Sequence, residues 1–581
     1  MKRMLLLLSI AAGLLIAGAT LRPALGASIG NRLFVTPDGQ GDQCTQAQPC
    51  SLATALTKLQ EGDSLYLAGG RYTADATAAD AVITLTLNNI DVRGGWDGAP
   101  IGPLVINPSQ HPVIIDGENQ RRGILIDGVR EVSLSGLRII RGNASGLGSD
   151  WGAVDAGGGL YARSATALSI ANCLFQENVA SDSRYGYGGG LALYHSNVRL
   201  LDVQIIANRA SSAPAGYGYG GGMFVRQSDN LFIKRVLMQG NVASEHAWGV
   251  GGGMLITASS EDIEDAMFIA NIAALKSAGF GGGLAIDNSS DGVILRHNLI
   301  QDNLAGGGHR GEGGGVYIAN EAVASLTNNR IVGNTATYEG LYAGAGVVIF
   351  RRARVDIVGN AIARNDLCTT CPPLSDHAGG VEVSESQVVM RDNVITANDA
   401  SGVLLGPDVL AMLTNNMLTQ NVQSGLSMAG EENHPVQMQG AHNTIADNGA
   451  AGVDLMQFAS MQMTNTLITG HRHDAGIRSR HASNLIDTAV TFYYGNAIDT
   501  IGPGAWNSVQ DISGQDPHYL ASAAGDYHLR ADSPAIDRGL DNVGVAEDID
   551  GEPRPNGSSV DIGADEYWPM AHHLKLPLVL H

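Results

Sequence analysis

The chain has 581 residues, with 57 acidic and 35 basic side chains and a formal net charge of −22 at pH 7. A surface of that sign repels nucleic acids and anionic lipids, which excludes the general electrostatic binding typical of basic proteins. We therefore expect no nucleic-acid partner, and any polyanionic ligand would need a local basic patch.

The first 26 residues have the layout of a secretory signal peptide. Lys2 and Arg3 precede an apolar run over residues 4–21, and small residues follow at 24–27. This order of charged, apolar and small-residue regions predicts export and cleavage after residue 26. An uncleaved anchor is the alternative, because about 20 apolar residues suffice to span a bilayer. Either way we expect an extracellular or cell-surface protein that contacts a membrane only through such an anchor.

Residues 27–64 are predicted to form an N-terminal cap that contains one short helix. Ser51 can cap this helix and Gly62 can end it, while the apolar residues between them share one face. Those apolar residues are Leu52, Ala55, Leu56 and Leu59. The stretch SLYLAGGRYT that follows is predicted to be the opening strand of the next domain.

An internal repeat organises residues 65–500. In every repeat a glycine, which we call the register glycine, precedes a short strand-like run such as LYAR, LALY or MFVR. The register glycines are Gly159, Gly190, Gly222, Gly253, Gly283, Gly315, Gly346, Gly380, Gly402, Gly425, Gly452 and Gly476. They recur at intervals of roughly 30 to 34 residues as far as Gly380, and of roughly 22 to 27 residues thereafter.

A second landmark, an asparagine, keeps the same interval. The asparagines are Asn178, Asn208, Asn241, Asn271, Asn303, Asn334, Asn365, Asn398, Asn421 and Asn448. Two landmarks in fixed phase, with three short strands per period and no room for a long helix, predict a solenoid of parallel β-coils. Stacked asparagines can form a hydrogen-bonded ladder, and glycine suits a tight corner where a side chain would clash. A propeller is the main alternative, but its blades are longer, at about 40 to 50 residues.

The GGG and asparagine elements resemble those of right-handed parallel β-helix proteins of the pectate-lyase-like class. The resemblance implies an all-β fold, a single-stranded right-handed parallel β-helix with a short N-terminal capping helix and a small C-terminal β/loop cap. About fifteen coils at a strand spacing near 4.8 Å would make a rod about 70 Å long.

Residues 501–568 differ in composition from the repeats and resemble the choice-of-anchor module that follows β-helices in many secreted bacterial proteins. The resemblance depends on the segments SPAIDRG at 533–539, DIDGEPR at 548–554 and DIGADE at 561–566. The resemblance implies a location at the cell surface and says little about activity. The remaining tail, residues 569–581, is too short to span a membrane.

The five cysteines predict two disulfides. Cys44 with Cys50, and Cys368 with Cys371, are close enough in sequence to close small loops in an oxidising compartment. Cys173 lies in an apolar run and is predicted to be a buried thiol. A redox pair or half of a metal site is the alternative for the second pair. We favour the disulfide, because that pair has no helix-start context and no second cysteine pair completes a zinc site.

Three further motifs are weak. GGGHRG at 306–311 matches a nucleotide-binding pattern, but its glycines fall on the repeat. His471 and His473 would share a face of a strand and could bind a metal, and a solvated corner is the alternative. Asp548 and Asp550 lack a third oxygen ligand at loop spacing, which favours an Asp-Gly turn over calcium. We therefore predict no nucleotide, metal or cofactor.

In each strand-like run, the residue after the first buried position should point outward. On successive coils these residues form a column. It consists of Tyr161, Ala192, Phe224, Leu255, Ala285, Tyr317, Val348, Glu382, Leu404, Ser427, Asp454 and Arg478. Glu382 and Asp454 are three coils apart, about 14 Å, which exceeds the ~5 to 9.5 Å between paired glycosidase carboxylates. The sequence also lacks the NTD, DD, GHG and RIK elements of polygalacturonases.

Arg163, Tyr194 and Arg226 stand four residues after successive register glycines. A lyase that eliminates across a uronate needs a base for the proton next to the carboxylate and cations to neutralise that carboxylate. A tyrosine between two arginines could supply both. A salt-bridged surface patch is the alternative.

Aromatic residues precede several register glycines. Tyr185, Tyr217 and Trp248 stand five residues before them, and Tyr187, Tyr219 and Phe280 stand three residues before them. In a regular solenoid these residues form two columns over three or four coils, and a glycan could follow them along the rod. The alternative is that the rings only pack on one another and shield the corner.

Together these features predict a secreted or cell-surface β-helix protein that is non-catalytic and binds extracellular polysaccharide or a cell-envelope component, or acts as an adhesive, structural rod. The alternative function is a polysaccharide lyase acting on a uronate-containing glycan. The fold by itself does not decide between them, because β-helices carry many functions.

Overall fold

The computed structural model describes residues 30–74, 80–152, 154–308, 310–338, 341–368 and 377–569. The predicted signal peptide, Cys371 and residues 570–581 of the tail lie outside these ranges. Within them, no helix has the length and apolarity that crossing a membrane requires.

The chain winds into parallel β-coils whose strands stack into three long sheets, as predicted. The front sheet has fifteen strands and carries the residues after the register glycines. Its strands are Ala81–Leu85, Arg122–Asp127, Leu160–Arg163, Leu191–Tyr194, Met223–Arg226, Met254–Thr257, Leu284–Asp287, Val316–Ala319, Val347–Phe350, Ala378–Val383, Ser401–Leu405, Leu426–Met428, Val453–Leu455, Ala475–Ser479 and Ile498–Ile501.

The second and third sheets complete each coil. The second sheet comprises Arg32–Val35, Ser64–Ala68, Asp91–Trp96, Ser133–Ser135, Leu168–Ala171, Val198–Leu201, Asp229–Lys234, Ser260–Glu264, Val293–Arg296, Val323–Thr327, Arg354–Val358, Gln387–Arg391, Leu410–Thr414, Val436–Ala441, Ala459–Thr464, Leu485–Ala489 and Ala505–Val509. The third sheet comprises Gly70–Tyr72, Val113–Asp116, Leu137–Ile140, Leu174–Gln176, Gln204–Ile206, Leu237–Gln239, Met267–Ile269, Leu299–Gln301, Arg330–Val332, Ala361–Ala363, Val394–Thr396, Met417–Thr419, Thr444–Ala446, Leu467–Thr469, Phe492–Tyr494 and Ile512–Ser513.

The longer coils have five strands each, two more than the sequence predicts. One corner sheet, which follows the third sheet in the chain, comprises Val179–Ser181, Arg209–Ser211, Val242–Ser244, Ile272–Ala274, Leu304–Gly306, Thr335–Thr337 and Asp366–Cys368. The other, which leads into the register glycines, comprises Asp155–Ala156, Gly186–Tyr187, Gly218–Tyr219, Gly249–Val250, Gly279–Phe280, Arg310–Glu312 and Leu341–Ala343. Runs of two or three residues are too short to show a strand periodicity in the sequence.

The core fills the inside of the coils and is built from the inward residues of the three long sheets. At the corner after the third sheet, the ten predicted asparagines form one buried ladder. Each side-chain nitrogen donates to the side-chain oxygen of the next asparagine at 2.9–3.0 Å. The ladder satisfies polar backbone groups at a bend that would otherwise be left buried and unpaired.

The register glycines are required by close approach of neighbouring coils. A methyl group on Gly190 would lie 2.7 Å from the carbonyl oxygen of Gly222, which is closer than real contacts allow. Two residues earlier, Gly188 has φ +63°, a left-handed conformation that glycine adopts without steric cost. Both observations confirm the predicted glycine corner.

The N-terminal cap contains the predicted helix, which spans Leu52–Lys58. Its N-cap Ser51 accepts a hydrogen bond from the backbone nitrogen of Thr54 at 3.2 Å. The predicted Cys44–Cys50 disulfide is present, and Cys173 is a free, buried thiol. The parallel strands begin earlier than residue 65, because Arg32–Val35 pairs with Ser64–Ala68.

The C-terminal segment after Ser513 is a β/loop unit with the antiparallel strands Tyr519–Ala521 and Asp526–Leu529 and two 3₁₀ turns, Ser522–Ala524 and Asp541–Val543. It packs along the outer face of the third sheet, where its apolar side chains meet those of the coils. These contacts join Leu529, Ala535 and Ile562 to Leu467 and Phe492, and Tyr527 and Ala564 to Met417 and Ala446. Among the described residues, Ile498, Ile501 and Val509 of the last coil are exposed.

Candidate functional site

The corner strands that lead into the register glycines bring the predicted aromatic residues into two columns. In the outer ring column, Tyr185, Tyr217 and Trp248 stack with ring centroids 4.9 and 5.9 Å apart and interplanar angles of 7° and 18°. In the inner ring column, Tyr187 stacks on Tyr219 at 4.6 Å. The columns form because the corner strands pair in register, Gly186 with Gly218 and Gly218 with Gly249.

The inner ring column packs onto the front sheet. Tyr187 meets Phe224 edge-on at 4.9 Å, and Phe280 meets Tyr317 at 5.4 Å. Burial raises the pKa of the Tyr187 hydroxyl above its usual value. The inner rings therefore form a second apolar layer outside the solenoid core, with Phe224, Leu255 and Tyr317 beneath them.

This layer covers the outward column of the front sheet. The column from Tyr161 to Val348 points away from the solenoid core but is buried, not solvent-facing. The first glycine of each GGG triplet has a left-handed conformation and turns the chain just before the front strand. This bend places the inner rings over the outward face of the front sheet, which buries the column. Trp151, from an insertion between the strands Leu137–Ile140 and Asp155–Ala156, covers the N-terminal part of the same layer and contacts Tyr161, Tyr187 and Phe224.

The outer ring column is exposed at both ends. Tyr185 is 41% exposed and Trp248 is 51% exposed, whereas Tyr217 between them is half-buried. Because the rings stack along the rod, the faces of Tyr217 are covered by its neighbours. Only the end rings can offer a free face to a ligand, and the column otherwise presents ring edges.

Arg163, Tyr194 and Arg226 lie side by side on the front sheet, as the repeat predicts. The Arg163 guanidinium binds the carboxylates of Asp127 and Asp150, each at 2.5 Å, and these bonds raise its pKa further. The charge of Arg163 is thus already balanced within the protein.

Tyr194 packs its ring against Trp151 at 4.8 Å. The repeat could have predicted that Asp127 lies beside Arg163. Asp127 stands four residues after Gly123 and occupies the position of Arg163 on the preceding coil. No signal pointed to Asp150 and Trp151, because they belong to an insertion that is outside the repeat.

Glu382 and Asp454 are three coils apart on the front sheet, separated by Leu404 and Ser427, as predicted. Burial raises the pKa of Asp454, but hydrogen bonds from Arg478 and Arg480 outweigh it and hold that pKa below its usual value. Asp454 is therefore a buried carboxylate that is paired with two arginines.

His471 and His473 do not share a strand face. His473 is exposed in a turn, while His471 is buried and extends the asparagine ladder, 3.3 Å from Asn448 and 2.9 Å from Asn496. Burial lowers the pKa of His471 to about 4, so it is neutral there. The solvated-corner interpretation was wrong for His471, because the ladder needs a polar side chain at that buried corner.

Asp548 and Asp550 form the predicted turn. Asp548 accepts hydrogen bonds from the backbone nitrogens of Asp550 and Glu552 at 2.9 and 2.8 Å, and Gly551 is left-handed at φ +80°. Asp550 pairs with buried His528 at 2.8 Å.

Two groups of three possible metal ligands occur among the described residues: Glu264, Asp265 and His297, and His528, Asp550 and Asp565. In the first, the Lys234 ammonium lies 2.8 Å from Glu264 and occupies the acidic pair. In the second, burial lowers the pKa of His528, but hydrogen bonds to Asp526 and Asp550 outweigh it and raise that pKa to about 11. We therefore interpret this group as an ion pair of His528 with the carboxylates of Asp526 and Asp550.

Two further predictions involve residues that the structure does not describe. The predicted partner of Cys368, Cys371, lies outside the described ranges, and this disulfide stays a prediction. His309 of the GGGHRG motif also lies outside them. Gly306 ends the corner strand Leu304–Gly306 and Gly311 lies within Arg310–Glu312, so both belong to the coil.

Comparison with solved structures returns proteins at low identity and low TM-score. Pectate lyase Pel9A is 11% identical over 94% of this chain and 98% of its own, with a TM-score of 0.24. The A-module of the Azotobacter vinelandii mannuronan C-5 epimerase AlgE4 is 12% identical over 83% and 100%, with a TM-score of 0.33. The periplasmic alginate epimerase AlgG is 12% identical over 57% and 73%, with a TM-score of 0.32. At these identities the likeness concerns the fold alone.

No curated protein matches the sequence. The family model described as the right handed beta helix region matches residues 122–362, 280–437 and 342–492, which together span more than half of the chain. With its stacked parallel coils and buried asparagine ladder, the chain belongs to the right-handed β-helix family.

Proposed function

We propose that this protein is an extracellular or cell-surface rod that binds polysaccharide at its aromatic corner without cleaving it. The outer ring column carries this proposal. Single exposed apolar side chains are normal on protein surfaces. Three aligned rings on successive coils, with both end rings exposed, instead form a continuous aromatic surface along the rod. Aromatic rings bind the apolar faces of sugars, and the coil spacing is close to the length of one pyranose unit.

The charge arrangement on the front sheet supports binding over cleavage. A lyase would need free cations to neutralise a uronate carboxylate. Of the two arginines predicted for that role, Arg163 is already bound by Asp127 and Asp150. Asp454, the buried carboxylate further along, is paired with Arg478 and Arg480.

The test compares polysaccharide binding by the wild type and by a Tyr185→Ala, Tyr217→Ala, Trp248→Ala triple variant on a glycan array. We expect the wild type to bind at least one polysaccharide and the triple variant to lose at least tenfold in affinity. The matched control is Phe232→Ala, which removes a partly exposed ring from the second sheet and should bind as the wild type does. A wild type that binds no polysaccharide would contradict the proposal.

Cleavage is tested separately. Wild type incubated with polyuronides should produce no ultraviolet absorbance from an unsaturated product. A product signal that Tyr194→Phe abolishes would replace the binding proposal with the lyase.

A further inference from the structure

The outer ring column ends abruptly at Trp248. The corner strands continue in register, Gly249 with Gly279 and Gly279 with Gly311, so the residues just before them occupy one position on three successive coils. These residues are Trp248, Ala278 and Arg310. Where the column would place a fourth ring, the chain has only the methyl group of Ala278.

This change of residue leaves one face of the Trp248 indole open. Its other face is stacked on Tyr217, yet Trp248 is 51% exposed, the larger value of the two end rings. At the opposite end of the column, Tyr185 is followed on the neighbouring coil by the bulkier, branched Val154. The indole face above Ala278 is therefore the more accessible platform.

The space above Ala278 has a second wall and a floor. Trp248 and Arg310 are two coils apart, about 9.5 Å at the spacing of parallel strands. A ring held at van der Waals distance from both walls needs about 7 to 8 Å, so the space admits one ring and not two. Phe280 forms the floor, edge-on to Trp248 at 6.2 Å and 5.5 Å below the Arg310 guanidinium.

The charge in this space is balanced before any ligand binds. The Arg310 Nε atom donates to the Glu312 carboxylate at 2.7 Å, and Glu312 is itself buried. A ligand carboxylate would have to compete with Glu312 for the guanidinium, next to a chain of net charge −22. A sugar hydroxyl needs only a hydrogen bond from a remaining guanidinium N–H group, and its ring offers an apolar face to the indole.

We infer that the space between Trp248 and Arg310, which we call the Trp248 slot, binds one pyranose ring of an uncharged polysaccharide. The inference rests on the proposed function and deepens it by naming the subsite and the ligand class. Trp248 supplies the stacking face, Arg310 the hydrogen-bond donor and Ala278 the room between them.

The decisive variant is Ala278→Tyr, because it lengthens the outer ring column by one ring while filling the Trp248 slot. The probes are dextran, xylan and galactomannan as uncharged polysaccharides, and polygalacturonate and alginate as acidic ones. We expect Ala278→Tyr and Trp248→Ala each to lower affinity for the bound uncharged polysaccharide at least tenfold. Tyr185→Ala, at the other end of the column, should stay within about twofold of the wild type.

Two further measurements keep the test independent of folding defects. Trp248→Phe retains a ring, and it should lose the ligand-dependent change in tryptophan fluorescence that the wild type shows. The Arg310→Ala, Glu312→Gln double variant removes the hydrogen-bond donor without leaving a buried unpaired carboxylate, and it should weaken binding with little change in the melting temperature.

The outcomes separate the two proposals. A wild type that binds none of the five probes withdraws both of them. Binding that Ala278→Tyr leaves unchanged, or that Tyr185→Ala weakens equally, overturns the Trp248 slot and keeps polysaccharide binding. Preference for the acidic probes overturns the ligand class.

Discussion

Glu261 is a carboxylic acid inside the solenoid. It occupies an inward position of the strand Ser260–Glu264, beside Leu231 of the preceding coil, and is 3% exposed. Neither of its carboxyl oxygens has a hydrogen-bond partner among the described residues. Burial, and to a lesser degree the nearby Asp229 charge, raise the pKa of Glu261 well above its usual value. The apolar surroundings of Glu261 therefore disfavour the ionised form of its carboxyl group.

Replacing Glu261 should stabilise the protein. A raised pKa in the folded state means that the native state holds the proton more tightly, so wild-type stability falls as pH rises above the unfolded pKa. We expect Glu261→Leu to raise the free energy of unfolding by about 1–3 kcal/mol at pH 8. The gain should shrink towards pH 4, and denaturant midpoints at both pH values measure it.

Glu264→Leu is the matched control. Glu264 lies in the same strand but faces outward and pairs with Lys234. It should not stabilise the protein, and a larger gain from Glu264→Leu than from Glu261→Leu would contradict the argument.

At the scale of the elements, asparagine ladders hold two corners of the coil. Besides the predicted ladder, a second one runs along the corner between the second and third sheets, with side-chain hydrogen bonds of 2.9–3.1 Å. Its members are Asn298, Asn329, Asn360, Asn393, Asn416 and Asn443. The sequence contains a signal for this second ladder, an asparagine before a short apolar run in each of six repeats, although only the first ladder was predicted.

Breaking a ladder in its middle should be costly. Asn271 accepts from the backbone and side-chain nitrogens of Asn241 and donates to the Met238 carbonyl oxygen and to Asn303. Asn271→Ala leaves several buried groups unpaired at about 1–3 kcal/mol each, so we expect a loss of about 3–5 kcal/mol. Chemical denaturation measures it.

Gln239→Ala provides the control for the ladder, because Gln239 is exposed on the outer side of the preceding coil, beside Ile269. Its free energy of unfolding should lie within about 0.5 kcal/mol of the wild type. Equal effects of the two substitutions would mean that the ladder does not contribute to stability.

At the scale of the whole molecule, the C-terminal unit contains buried groups that titrate. Burial raises the pKa of Asp565 and of Asp561 to about 7 from an ordinary 3.8. His528, held by Asp526 and Asp550, has its pKa raised to about 11 from 6.5. In all three cases the folded state binds the proton more tightly than the unfolded chain.

The stability of this unit should therefore fall as pH rises. The two carboxyl groups lose their contribution between about pH 4 and 7, and His528 loses its contribution above about pH 6.5, each by at most about 1.4 kcal/mol per pH unit. We expect hydrogen-exchange free energies of residues 526–566, corrected for intrinsic rates, to be lower at pH 8 than at pH 5.

Residues 160–178 provide the internal comparison, because they contain no histidine and their one carboxylic side chain, that of Glu177, is exposed. Asp565→Asn should reduce the pH dependence of the C-terminal unit. Protection of that unit that increases with pH would contradict the assignment.

Local signals were enough to predict the capping helix and the Cys44–Cys50 disulfide. The repeat pattern alone predicted the coil, its phase, the first asparagine ladder, the glycine corner and the alignment of the ring columns. It could do so because, in a solenoid, each residue meets its equivalent one repeat later, so that a period in the sequence is a contact in space.

Features that lie outside the repeat or depend on burial became visible only in the folded chain. These are the pairing of Arg163 with Asp150, the burial of His471, the cover over the front sheet and the lateral docking of the C-terminal unit. The open face of Trp248 belongs with them, because a stacked column has free faces only at its ends. Which end a ligand can reach depends on the size of the next side chain and on what lies one coil beyond it.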